Sequence, residues 1–107
     1  MSASSIDMAG YFLLKHVPGP DWDHSRLRRE QDGWDEHAAF MDGLAAEGVI
    51  VLGGPVGAGD GDYALLVVDV QSEAAVRACL AADPWEDTIL RAESIEPWSV
   101  WLGGARG

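Results

Sequence analysis

The chain has 107 residues, 48% of them hydrophobic and 23% charged, which fits one globular domain and excludes both a second domain and a disordered chain. A formal net charge of −11 argues against nucleic acid and anionic membranes as partners, because phosphate binding is carried by Lys and Arg. The single cysteine, Cys79, excludes an internal disulfide and a multi-cysteine zinc site; with neither a basic leader nor an apolar run near the ~20 residues that span a bilayer, the expected location is the cytoplasm.

Residues 1–9, small and polar, read as a tail ahead of a domain spanning 10–102, with 103–107 as a second tail. Tyr11–Val17 is the first expected strand, aromatic and aliphatic, and Pro18-Gly19-Pro20 stops it. Alternate residues of a strand share a face, so Tyr11, Leu13, Lys15 and Val17 lie on one side and Phe12, Leu14 and His16 on the other. The segment 18–32 is a long insertion with a helical turn expected near Ser25–Gln31. Long connections inside compact domains are often functional lids. Arg26, Arg28 and Arg29 cluster in it. They read either as a solvated set paired with carboxylates or as a group that attracts a substrate carboxylate. Asp21-Trp22-Asp23-His24 lacks the spacing of a metal site.

Asp32 is placed to cap the first long helix, and Gly48 to end it. On a wheel of about 100° per residue centred on His37, Leu44 and Gly48 fall within about 20°, Met41 at about 40°, and Trp34 and Phe40 at about 60° on either side. The imidazole therefore sits in the middle of the inward stripe, where a buried histidine needs a hydrogen-bond partner. Val49–Leu52 is the next strand, and Gly53-Gly54-Pro55 is expected to turn it out of the sheet. Val56–Gly61 is a glycine-rich connection without the Lys-Ser/Thr of a phosphate loop. Asp62–Val70 is a strand, Ser72 caps a helix running to about Ala82, and Pro84 stops it. Arg91–Leu102 is the last strand, with Pro97 marking an edge or a break in pairing.

The order β-α-β-β-α-β is the ferredoxin-like split unit, an antiparallel sheet with two helices on one face. Strands 11–17 and 62–70 are apolar on both faces, so a second copy packed sheet on sheet is the expected cover, giving a homodimer or a larger assembly. On the second helix Asp83 extends the seam of Val76 and Leu80, where a lone buried carboxylate is costly. Both helices lie on the same side of the sheet, so a meeting of His37 with Asp83 is geometrically open. The alternative for Asp83 is an exposed carboxylate in an Asx-type turn ahead of the proline.

His37–Phe40 as His-x-x-Phe, Gly48–Pro55 as Gly-x-x-x-x-Gly-Gly-Pro, the strand 62–70, the Ser72-capped helix, Asp83-Pro84-Trp85 and Ile95–Trp98 together resemble the YCII-related (YciI-like) family over roughly residues 10–102. The resemblance implies a dimeric α+β barrel, with muconolactone isomerase and a dehydrochlorinase of chlorinated hydroxyquinols among superfamily relatives. It also implies His37 and Asp83 as the catalytic pair. The chain departs from the family pattern in its long Arg-rich insertion and at Asp35-Glu36. The expected function is a cofactor-free lyase or isomerase doing His–Asp acid/base chemistry on a small cyclic, aromatic or enol-type molecule. Trp34, Phe40, Met41, Gly54, Pro55, Trp85 and Arg28 are the expected substrate-binding residues. The alternative is a non-catalytic homodimer that binds a small molecule or a protein, with His37–Asp83 a structural pair. A metal site built from His37, Asp83 and His16 or His24 is the least favoured reading, and no metal is expected.

Overall fold

The computed structural model describes residues 11–57 and 63–103. Strand β1 runs Tyr11–Pro18, helix α1 Trp34–Ala46, β2 Ile50–Val56, β3 Tyr63–Asp69, helix α2 Glu73–Leu80 and β4 Leu90–Trp98. A single 3-10 turn, Arg28–Glu30, lies in the connection between β1 and α1. The four strands form an antiparallel sheet in the order β2-β3-β1-β4, the ferredoxin-like topology.

Register explains the core. Leu14 lies opposite both Leu66 and Ile95, and Ile50 lies opposite Val68, so these side chains share one face of the sheet. They pack with Val76 and Leu80 of α2, and Met41 and Leu44 of α1 close the same cluster. Both helices therefore cover this one face. The periodicity that separates apolar from acidic positions on each helix does its work here.

The barrel expected from the resemblance is overturned. The sheet is open: β2 and β4 are its two edges and pair only with β3 and β1, respectively. Four strands cannot curl far enough to bring such edges together; small closed barrels take about eight.

Local chemistry accounts for the element ends. Ser72 Oγ accepts the Ala75 backbone N–H at 3.1 Å, the expected N-cap of α2. Gly48, at φ +80°, ends α1 in a Schellman turn: its N–H bonds the Ala45 carbonyl at 3.0 Å and that of Val49 bonds Leu44 at 2.9 Å. At the start of α1 the expectation fails. The N-cap is Gly33 with no side-chain cap, because Asp32 is engaged elsewhere: its carboxylate pairs with Arg26 at 3.1 Å and its carbonyl accepts the Trp85 indole N–H at 2.7 Å.

Gly53-Gly54-Pro55 also departs from expectation. It does not leave the sheet but continues β2, facing Leu66, Leu65 and Ala64 of β3 after a register shift between Ile50 and Leu52. An edge strand tolerates proline because one side of its ladder needs no donor. Glycine is required at 53: a Cβ there would sit 2.3 Å from Leu66 Cδ2 and 2.8 Å from the Leu65 carbonyl oxygen. The last strand is shorter than expected, and Pro97 lies on the edge strand β4. The expected tail 1–9, the greater part of the glycine-rich connection (58–61), Asp62 at the start of the third strand and residues 104–107 lie outside the described residues.

Candidate functional site

Two sequence outliers on apolar seams come together. His37, on the first turn of α1 after Trp34, is 7% exposed, and Asp83, just beyond α2, is 4% exposed. His37 Nδ1 lies 3.0 and 2.9 Å from Asp83 Oδ1 and Oδ2. An ionised carboxylate only accepts, so Nδ1 carries the proton and Nε2 is the ring nitrogen not committed to Asp83. Asp83 Oδ1 also accepts the Trp85 backbone N–H at 3.0 Å. The Asx-type turn expected of an exposed Asp83 is thus present, but its carboxylate is buried on His37 rather than open to water. The Trp85 ring then stacks on the imidazole, 4.1 Å between centroids and 8° between planes, and Trp34 leans on both. The histidine is held by a carboxylate at one edge and an indole on one face.

A cavity of about 490 Å³ opens beside this pair, within the range of small-molecule sites. Of the expected site residues, His37, Trp34, Met41, Gly54, Pro55 and Arg28 line it, while Phe40 does not. Trp85 lies buried beneath the imidazole and, like Asp83, does not line the cavity. Leu52, Leu66 and Leu90 supply apolar wall. The ionisable residues of the wall are His16, Arg28, Arg29, His37 and Asp42. In a chain of net charge −11, a wall with two arginines against one carboxylate is a local basic patch.

The arginine segment is neither free chain nor a simple solvated loop. Gln31 is buried and staples it, accepting the Asp23 N–H at 2.9 Å and donating to the Asp23 and Arg26 carbonyls at 2.8 and 3.0 Å. Gly19 and Asp21 donate backbone N–H groups to Ile89 and Thr88 at 2.7 and 2.8 Å. Arg28 is 6% exposed with its guanidinium 5.3 Å from the Trp22 ring, and Arg29 lies 5.7 Å from Trp34. Arg26, by contrast, is exposed on Asp32. In the exposed Asp23-x-Ser25 turn, hydrogen bonds from the Ser25 hydroxyl and N–H hold the Asp23 carboxyl below its ordinary value of 3.8.

Sequence reasoning passed over His16 and Glu86 as a pair. His16 Nε2 lies 3.0 Å from Glu86 Oε1, and the histidine is 1% exposed. The available signal was strand alternation, which places His16 on the core-facing side with Phe12 and Leu14. Among the described residues no three His, Cys, Asp or Glu side chains converge as a metal site.

The model of the YCII-related domain matches residues 13–99. The chain belongs to the YCII-related family. The curated proteins and the solved structures gave no match. For this YCII-related domain the match extends from β1 through β4, so both helices and the Asp83–Trp85 turn fall inside it. It brings no lyase or isomerase assignment, and that specific expectation is withdrawn. What stands is the family and a buried His–Asp pair whose geometry is consistent with acid–base chemistry. Among the described residues no helix is long and apolar enough to cross a membrane.

Proposed function

We propose that the cavity is an acid–base site in which His37, oriented by Asp83, moves a proton on a small anionic molecule bearing an unsaturated or enolisable group. One observation carries this reading: the imidazole is fixed through Nδ1 on a buried carboxylate while the same residue lines a cavity shared with Arg28. A carboxylate on one imidazole nitrogen sets which tautomer meets the substrate and leaves the other nitrogen to exchange a proton. Nε2 takes a proton from carbon, the electron pair stays on the substrate and spreads onto a neighbouring carbonyl, and Asp83 stabilises the imidazolium formed. Arg28 and Arg29 attract the substrate's carboxylate, and Trp34, Met41 and Leu52 accept its apolar body.

The test is a screen of small phenols, lactones and enolisable keto acids, phenylpyruvate among them, by protein-observed NMR. Solvent-deuterium exchange is then followed in the compounds that bind. Binding should perturb His37, Arg28 and Met41, and His37→Gln should slow exchange by about 10²-fold or more while leaving binding in place. Binders whose exchange is the same with and without His37 would make the pair structural and the protein a binding module.

The family reading also carries a homodimer, which we propose for a physical reason. Leu13 and Leu65 alternate with the core residues and so lie, half-buried, on the sheet face away from the helices, and Trp98 and Trp101 are exposed. Light scattering at micromolar concentration should give twice the chain mass; a monomer mass refutes it.

A further inference from the structure

We propose that His16, seated by Glu86, is a second proton-transfer group of the same cavity. On this account one imidazole removes a proton from the substrate while the other delivers one. The proposal deepens the function proposed above and rests on it.

Three observations carry it. His16 occupies a core-facing strand position yet is paired with a carboxylate, Glu86, and lines the same cavity as His37. Burying such a pair costs desolvation that an apolar residue in the same place would avoid, so packing alone does not explain it. Second, both carboxylates belong to one turn. The Asp83 carbonyl accepts the Glu86 N–H at 3.1 Å, and the Trp85 carbonyl accepts from Thr88 and Leu90 at 3.2 and 3.0 Å, so Asp83 and Glu86 are fixed together. Third, the β1–β4 register shifts between Lys15 and His16. Regular pairing would set Glu93 beside His16 on the core face. The bulge brings Ala92 there instead and sends Glu93 outward to Lys15, 3.0 Å away, leaving Glu86 as the carboxylate on this ring. Bulges often re-aim side chains next to active sites.

The two rings are held in opposite senses. His37 uses Nδ1 on Asp83 and has Nε2 for the substrate; His16 uses Nε2 on Glu86 and has Nδ1. Neutral His37 takes a proton from carbon at Nε2. The C–H electron pair becomes a C=C bond, and the carbonyl π pair moves to oxygen. Protonated His16 gives its Nδ1 proton to that oxygen. The substrate has lost one proton from carbon and gained one on oxygen; the protein ends with His37 protonated and His16 neutral, and exchange with water resets both. Glu86 is a positioning residue.

Two measurements on the full chain decide it. First, solvent-deuterium incorporation into phenylpyruvate is compared for the wild type, His37→Gln, His16→Gln and the milder His16→Asn. The proposal expects each histidine variant to lose about 10²-fold in rate. A wild type that gives no acceleration overturns the parent function. An active wild type with a dead His37 variant and fully active His16 variants overturns only the role of His16. Second, without any substrate, diethyl pyrocarbonate modification of the native chain is mapped by mass spectrometry. His16 and His37 should both be modified from the cavity, with exposed His24 as internal reference; modification of His24 with His16 untouched overturns the proposal. In Glu86→Leu, which leaves no acceptor at Nε2, ring ¹⁵N shifts recorded where the ring is neutral should show His16 alone losing its Nε2–H tautomer preference, and unchanged shifts would remove Glu86 from the mechanism.

Discussion

Replacing Asp83 by Asn removes one charge and leaves the shape nearly intact, which isolates what the carboxylate does. Its side chain is 0% exposed and accepts from two donors, the His37 ring and the Trp85 backbone N–H. A hydrogen bond to a charged group contributes about 1.5–3 kcal/mol net, and removing one member of a buried pair costs about 3–5 kcal/mol. Asn keeps one acceptor oxygen for one of the two donors but turns an N–H group toward the other, so the cost falls near the lower figures, about 2–3 kcal/mol. Against a folding free energy of roughly 5–15 kcal/mol this is large, and at about 4–8 °C per kcal/mol the melting temperature should drop by about 10 °C or more. Urea unfolding of the wild type, Asp83→Asn, His37→Gln and the double variant gives the coupling between the two groups directly. Residues in contact couple by about 0.5–3 kcal/mol, and a value above ~1.5 kcal/mol is expected for this pair. An Asp83→Asn variant within ~0.5 kcal/mol of the wild type, with additive effects in the double variant, would mean that the two side chains do not depend on each other.

Three further outcomes follow from the same structure. Gly53→Ala should destabilise by about 1–3 kcal/mol in denaturant titration, because the added methyl meets Leu66 and the Leu65 carbonyl and an edge strand can only retreat by unpairing. Ser72→Ala should cost about 1 kcal/mol and fray the first turn of α2, seen as faster amide exchange at Ala75. Ser25→Ala should raise the Asp23 titration midpoint followed by ¹³C NMR. Asp23 is held below its ordinary value in the fold, so its contribution to loop order is full above 3.8 and is lost as pH falls through the lowered value; the variant should lose that order at higher pH.

The fold was legible where local chemistry and periodicity agree. The helix ends at Gly48 and Ser72, and the two inward stripes, follow from propensity and spacing alone. The meeting of His37 with Asp83 was legible for a different reason. Each is a charged or titratable group on an apolar seam, and such groups need partners. The features that were not legible depend on neighbours distant in sequence. Gly-Gly-Pro reads as a turn until one sees that β2 is an edge strand with β3 close beside it. Asp32 reads as a cap until Arg26 and the Trp85 indole claim it. His16 shows as an inward strand position, but nothing in its own surroundings names Glu86, 70 residues away, as its partner. The expected barrel failed because closure depends on strand edges meeting, which no strand's own sequence specifies.

Proton transfer by His37 requires that Nε2, not Nδ1, face the cavity. Long-range ¹H–¹⁵N spectra of the ¹⁵N-labelled wild type, recorded where the ring is neutral, read this directly. The prediction is a protonated Nδ1 and a bare Nε2 for His37, because Asp83 accepts at Nδ1. A His37 ring protonated at Nε2 with a bare Nδ1 would contradict it, since the nitrogen offered to a substrate would then hold a proton where a lone pair is required.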